Sequence, residues 1–142
     1  MTDSTGDLME QLIATDTPED LDNYLEEIRD KYPKNFSSYI KAILDSKGMS
    51  VADMQKLSGI ERTYIYQIMN GRKHPGRDKI VAIAIACRMT LPECQRALEI
   101  AKEGILYAKS KRDSLMIYAV NKKMSISELQ ALLEKYGQQP LD

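Results

Sequence analysis

Between positions 50 and 77 the chain reads Ser50-Val51-Ala52-Asp53-Met54-Gln55-Lys56-Leu57-Ser58-Gly59-Ile60-Glu61-Arg62-Thr63-Tyr64-Ile65-Tyr66-Gln67-Ile68-Met69-Asn70-Gly71-Arg72-Lys73-His74-Pro75-Gly76-Arg77. Ser50 is a helix cap, since its hydroxyl can accept from an otherwise unpaired first-turn N–H. After about two turns Gly59 can take the left-handed conformation that ends a helix tightly. Ile60 then plugs the gap, and a second helix runs to about Asn70. Ile60, Ile65 and Ile68 are expected to point inward with Met54 and Leu57. Glu61, Arg62, Thr63, Tyr66, Gln67 and Asn70 are left facing outward.

Outward from this segment the apolar residues keep recurring with a period near 3.6, which predicts an all-α protein. On the N-terminal side, Leu8, Leu12 and Ile13 suggest a short helix. Thr17-Pro18-Glu19-Asp20 is a helix start, with a hydroxyl cap, Pro in the first turn and acids over the positive helix end. Leu21, Tyr24, Leu25 and Ile28 line its face until Tyr32-Pro33 breaks it. Pro33-Lys34-Asn35 is the best boundary in the chain. Phe36, Tyr39, Ile40, Ile43 and Leu44 form the next stripe, closed by Gly48.

A start signal occurs three times, at Met49-Ser50-Val51-Ala52-Asp53, Met89-Thr90-Leu91-Pro92-Glu93 and Met124-Ser125-Ile126-Ser127-Glu128. Each sets a hydroxyl three residues before an acid, the pattern of a capping box, and each opens the second helix of a pair. Spacings of 40 and 35 residues could mark a solenoid. The sequence between the signals reads as unmatched, so three independent helical hairpins in one bundle are expected. Leu115-Met116-Ile117-Tyr118-Ala119-Val120 is apolar all round, which predicts burial on several sides. Ile126, Leu129, Leu132, Leu133 and Tyr136 face one way in the last helix. The expected organisation is an acidic helical extension over 1–35, a central domain over 36–103 and a C-terminal hairpin over 104–142 that packs on the domain or dimerises.

The 142 residues are 43% apolar and 29% charged, enough for both a core and a solvated surface. No run approaches the ~18 to 20 apolar residues of a membrane span. The polar, acidic start resembles no targeting peptide, so a soluble, cytoplasmic chain is expected. Cys87, Cys94 and His74 fall short of the four ligands of a structural zinc site. The two cysteines, set in apolar helical patterns, read as buried thiols, and nothing around either supports a Cys–His nucleophile. No metal, no cofactor and no catalysis are expected. The net charge of −1 hides an asymmetry: residues 1–35 carry 3 − 10 = −7, whereas 62–112 carry 11 − 4 = +7. The acidic arm is most simply a solvated helix. If it instead competes with nucleic acid for the basic segment, its removal should tighten nonspecific DNA binding at low salt; unchanged affinity in a retardation assay would leave it a packing element.

Two short helices about a glycine turn form a helix-turn-helix, whose second helix can enter the ~12 Å major groove. From about Phe36 to Ala101 the sequence resembles the five-helix phage-repressor, or Xre-type, family. The resemblance rests on Ser58-Gly59-Ile60, the spaced Ile65 and Ile68, the exit Asn70-Gly71-Arg72-Lys73-His74-Pro75, the apolar stretch Ile80-Val81 with Ile83-Ala84-Ile85, and Thr90-Leu91-Pro92-Glu93. It implies a bacterial or phage regulator that binds double-stranded DNA, usually as a homodimer. Arg62, Thr63, Tyr66, Gln67 and Asn70 are then the candidates for base edges. Arg suits guanine, Gln suits adenine and the Thr methyl suits thymine. Ser50, Arg72, Lys73, His74 and Arg77 are the candidates for phosphates, and Lys109, Lys111 and Arg112 read as a solubilising connector that could extend them.

Four positions depart from that family. Gln55 stands where most members keep a small residue, Val51 where many have Gln, Glu61 at a cap usually held by Ser or Thr, and Met69 at a commonly acidic position. Glu61, the tyrosine-rich second helix, the acidic arm and a pI of about 5.9 favour an alternative: a protein-interaction module on a helix-turn-helix scaffold that has lost DNA affinity. Its partners would bind the N-terminal or C-terminal helices.

Overall fold

A computed structural model describes residues 5–31 and 35–142. Its helices are α1 (Thr5–Ile13), α2 (Pro18–Lys31), α3 (Phe36–Lys47), α4 (Val51–Ser58), α5 (Arg62–Met69), α6 (Arg77–Ala86), α7 (Leu91–Ile100), α8 (Lys111–Asn121) and α9 (Ile126–Lys135), with no strand among the described residues. The chain is all-α, as the periodicity predicts. Three of these helices begin at the expected signals. Ser50, Thr90 and Ser125 each accept from the N–H three residues on, and Asp53, Glu93 and Glu128 each accept the cap's own N–H in return. Each box satisfies two backbone donors that a helix start otherwise leaves orphaned.

Residues Met1–Lys34 and Asn35–Asp142 are separate compact units. In the first, Thr17 Oγ1 accepts from Asp20 N at 3.0 Å, the cap that starts α2, and the Tyr24 hydroxyl donates to Leu8 O at 3.4 Å. Tyr24 is half-buried, but Leu21 and Leu25 are exposed, as are Leu12 and Ile13. The expected apolar stripe is thus not a buried one, and Ile28's side chain and the Tyr32-Pro33 break lie outside the described residues.

In the second unit α3, α4, α6 and α7 enclose a core with Ile40, Met54, Ile65, Ile68, Ile80, Ile83 and Leu98 at its centre. Every residue from Ile80 to Ala86 is buried, so α6 is the central helix. Cys87 and Cys94 are free and buried in this core, and burial pushes both thiols up to about 12. A charged maleimide is therefore expected to leave both unmodified in the native chain and to label both in denaturant, as followed by mass spectrometry. Fast native labelling would contradict this packing.

The last two hairpins are not independent, which corrects the expectation from sequence. At a spacing of 35 residues Arg77-Asp78 recurs as Arg112-Asp113, and Ala84, Met89, Glu93, Gln95, Leu98, Glu99 and Leu106 recur as Ala119, Met124, Glu128, Gln130, Leu133, Glu134 and Leu141. The structure makes these identities equivalent. Arg77 donates to both carboxylate oxygens of Asp113 (2.7 and 2.6 Å), and Arg112 to both of Asp78 (3.0 and 2.8 Å). Arg77 also donates to Gly104 O and Ile105 O, and Arg112 to Gln139 O and Pro140 O, 35 positions on. Gln95 clamps the backbone of Leu106 through both its amide atoms, as Gln130 clamps Leu141. Two copies of one unit, 77–107 and 112–142, thus meet reciprocally, like an isologous dimer interface within one chain.

This arrangement also alters α8. Met116, Ala119 and Val120 are buried, whereas Leu115 and Ile117 are half-buried and Tyr118 is 52% exposed. The helix is covered by the first copy on one side only, so its apolar run is not buried all round.

Candidate nucleic-acid interface

The turn between α4 and α5 is fixed by three observations. Gly59 is left-handed (φ 72°, ψ 6°) and its N–H donates to Gln55 O. Ser58, buried, accepts from Ile60 N at 3.2 Å. Gln55 Nε2 donates to Ile60 O at 2.8 Å. Where a small residue would let the helices approach, Gln55 replaces that packing by a hydrogen bond across the turn. Leu57, expected inside, is 54% exposed. Ile60, Ile65, Ile68 and Met69 are buried, and Met69 occupies its unusual position as a core residue.

With that face anchored, α5 turns Glu61, Arg62, Thr63, Tyr66 and Asn70 outward, and Gln67 lies half-buried at the edge. Arg62 sits over the Tyr66 ring, 5.6 Å from its centroid, which restricts a side chain that otherwise has many rotamers. Glu61 caps α5 without a side-chain hydrogen bond. Tyr64 is half-buried against the core, with Lys79 Nζ 5.9 Å from its ring centroid.

The exit from α5 is a tight, hydrogen-bonded loop. Gln67 O accepts from Arg72 N (2.9 Å) and Lys73 N (3.1 Å), and Asn70 Oδ1 accepts from Arg72 N at 3.0 Å. Asn70 therefore shapes the loop through its carbonyl oxygen and presents its amide donors beside it. Arg72 and Lys73 are exposed.

Residues 40–94, about two fifths of the chain, match the helix-turn-helix family model. This segment is similar to the helix-turn-helix family of the Xre type. No curated protein and no solved structure matches the chain. The match runs from within α3 into the first turn of α7 and spans the α4–turn–α5 pair, and the family it points to is one of DNA-binding regulators in general. No helix among the described residues is long and apolar enough to cross a membrane.

Within this segment the phosphate candidates fare differently. Ser50's oxygen accepts from Asp53 N, leaving its O–H to donate, but beside the Asp53 carboxylate, whose pKa the Ser50 N–H and hydroxyl lower. His74 Nε2 donates to Ala101 O at 2.7 Å, so only a doubly protonated ring has an N–H left for a phosphate. Arg77 is a correction. Its guanidinium is spent on Asp113, Gly104 O and Ile105 O, which makes it a brace between the two copies. Arg112 is likewise tied to Asp78. Of the +7 read from residues 62–112, these two arginines are thus locally compensated. Sequence reasoning missed both braces; the 35-residue recurrence of Arg-Asp was the signal that could have found them.

Proposed function

We propose that the protein binds double-stranded DNA sequence-specifically through α5, as a bacterial transcriptional regulator working as a homodimer. The observation that carries this reading is the outward row Arg62, Thr63, Tyr66 and Asn70, with Gln67 at its edge, on a helix held by buried Ile65, Ile68 and Met69. Side chains that read base edges must stand on a rigid element narrow enough for the major groove, and this helix meets both requirements. Arg72 and Lys73, on a loop ordered by Gln67 O and Asn70, bind phosphates; Ser50 and His74 are lesser contributors. No step of chemistry is involved: occupancy of an operator excludes or recruits the transcription machinery.

Selection of the full chain from a random duplex library at near-physiological salt, followed by sequencing, tests this. A paired motif with half-sites about 10 bp apart, or a multiple, is the expected result. A single half-site would retain the DNA reading and remove the dimer. Weak, salt-sensitive retention without enrichment would instead favour the protein-interaction module, which the uncapped Glu61 carboxylate at the tip of α5 supports.

A further inference from the structure

The two copies, 77–107 and 112–142, supply an internal control. Their shared backbone contacts make the same demands on folding, so exposed side chains that differ between them are not required by those contacts. Among positions exposed in both copies, the differences in charge and aromatic character lie in the segment that follows the second helix of each copy. The first copy has Lys102, Ile105 and Tyr107, all exposed, and continues into exposed Lys109 and Lys111. At the three equivalent positions the second copy has Gly137, Pro140 and Asp142. Residues 102–111 hold three lysines against one acid, Glu103, which is half-buried; residues 137–142 hold no base. Lys102 sits at φ 59°, where its counterpart is a glycine at φ 67°. A lysine in the left-handed region is less comfortable than glycine, although a cation at a helix C-terminus recovers part of that cost.

The same segment is fastened to the α5 exit loop. His74 Nε2 donates to Ala101 O at 2.7 Å, while Arg77 donates to Gly104 O and Ile105 O, each at 2.7 Å. Tyr107 N donates to Asp113 Oδ2 at 2.9 Å, fixing the far end. A rigid, exposed, basic segment carrying a tyrosine hydroxyl therefore adjoins the loop of Arg72 and Lys73. It also lies beyond the 40–94 family match.

We propose that the α7–α8 connector is a second DNA-contacting surface, on which Lys102, Tyr107 and Lys109 bind the phosphodiester backbone flanking the bases read by α5. Lysine ammonium groups and a phenolic O–H both donate to phosphate oxygens, giving affinity without sequence information. The inference rests on the DNA-binding reading above and extends its footprint.

The test uses the full chain and a triple variant, Lys102→Gly, Tyr107→Ala and Lys109→Ala. Its first change copies the residue the second repeat uses. Two duplexes carry the selected site, one with flanks of about ten base pairs and one trimmed to the site. On the flanked duplex the variant is expected to bind several-fold more weakly, with a log–log salt slope shallower by about 2, since each lost phosphate contact removes about 0.9. On the trimmed duplex the two proteins should bind alike, and the base preference should not change. Equal affinity and slope on the flanked duplex, with the wild type binding well and the variant's circular dichroism and melting intact, would overturn the inference alone. A wild-type chain that holds neither duplex would overturn the DNA reading beneath it, and the connector surface with it.

Discussion

Replacing Asp113 by alanine is expected to lower the unfolding free energy by about 3 kcal/mol, read as a shift of the urea midpoint at unchanged slope. Asp113 accepts both Arg77 donors and Tyr107 N, and its side chain is 8% exposed. Alanine leaves a partly buried guanidinium without its counter-charge and frees the connector, whereas removing both partners costs less than removing one. The equivalent Asp78→Ala should cost less, because Asp78 and Arg112 are more exposed on balance, 18% and 23% against 8% and 28%. The two pairs also feel each other's charge, so the double variant should depart from additivity.

The same pair has a pH signature. Hydrogen bonds from Arg77 hold Asp113's carboxyl below its ordinary value; burial pushes Asp78 up, but bonds from Arg112 and Asp142 N–H outweigh it and hold that group low as well. A carboxyl lowered in the folded state contributes stability above its unfolded pKa of about 3.9 and loses it as pH falls through the folded value. Wild type and Asp113→Asn should therefore differ most near neutrality and converge below about pH 4. Stability curves that stay parallel from pH 6 to pH 2 would show that the Arg77 pair contributes nothing.

Much of this architecture was legible because it is written in local chemistry. The three capping boxes, the left-handed Gly48 and Gly59, and the inward Ile65 and Ile68 depend on residues within a few positions of one another. The errors share the opposite cause. Leu57 is apolar and correctly spaced, yet it is exposed, because spacing along one helix does not fix which other helices cover its face. Arg77 looked like a phosphate ligand since its partner lies 36 residues away, and a charge in sequence carries no record of what neutralises it. The duplication was missed because its identities are sparse in the apolar positions, where Ile80 can become Leu115 and Cys94 can become Leu129 without changing the packing. They are denser in the polar ones, where hydrogen-bond geometry allows little exchange beyond Thr90 for Ser125. Matching Arg-Asp and Gln rather than the apolar pattern would have exposed the repeat.

On the selected operator, Arg62→Ala is expected to produce the largest loss of discrimination, about 1–3 kcal/mol at one base pair, or roughly five- to 150-fold. Lys73→Ala should act differently, weakening every duplex by a similar factor and making the salt slope shallower by about 1. The distinction follows from where the structure puts them. Arg62 leaves the first turn of α5 already stacked over Tyr66, and a side chain ordered before binding gives up less entropy in making a bidentate base contact. Lys73 extends from a loop whose backbone is fixed by Gln67 O, and its ammonium is a point charge that suits any phosphate. Tyr66→Ala separates the two effects again. It removes the ring that steadies Arg62 and should weaken binding to the preferred site more than to a scrambled one. Gln67→Ala should relax a neighbouring position by less, because that side chain is half-buried and reaches the groove only from its edge. If Arg62→Ala and Lys73→Ala changed all sequences alike, α5 would be lying on the backbone rather than in the groove, and Glu61 at its tip would be the first residue to blame.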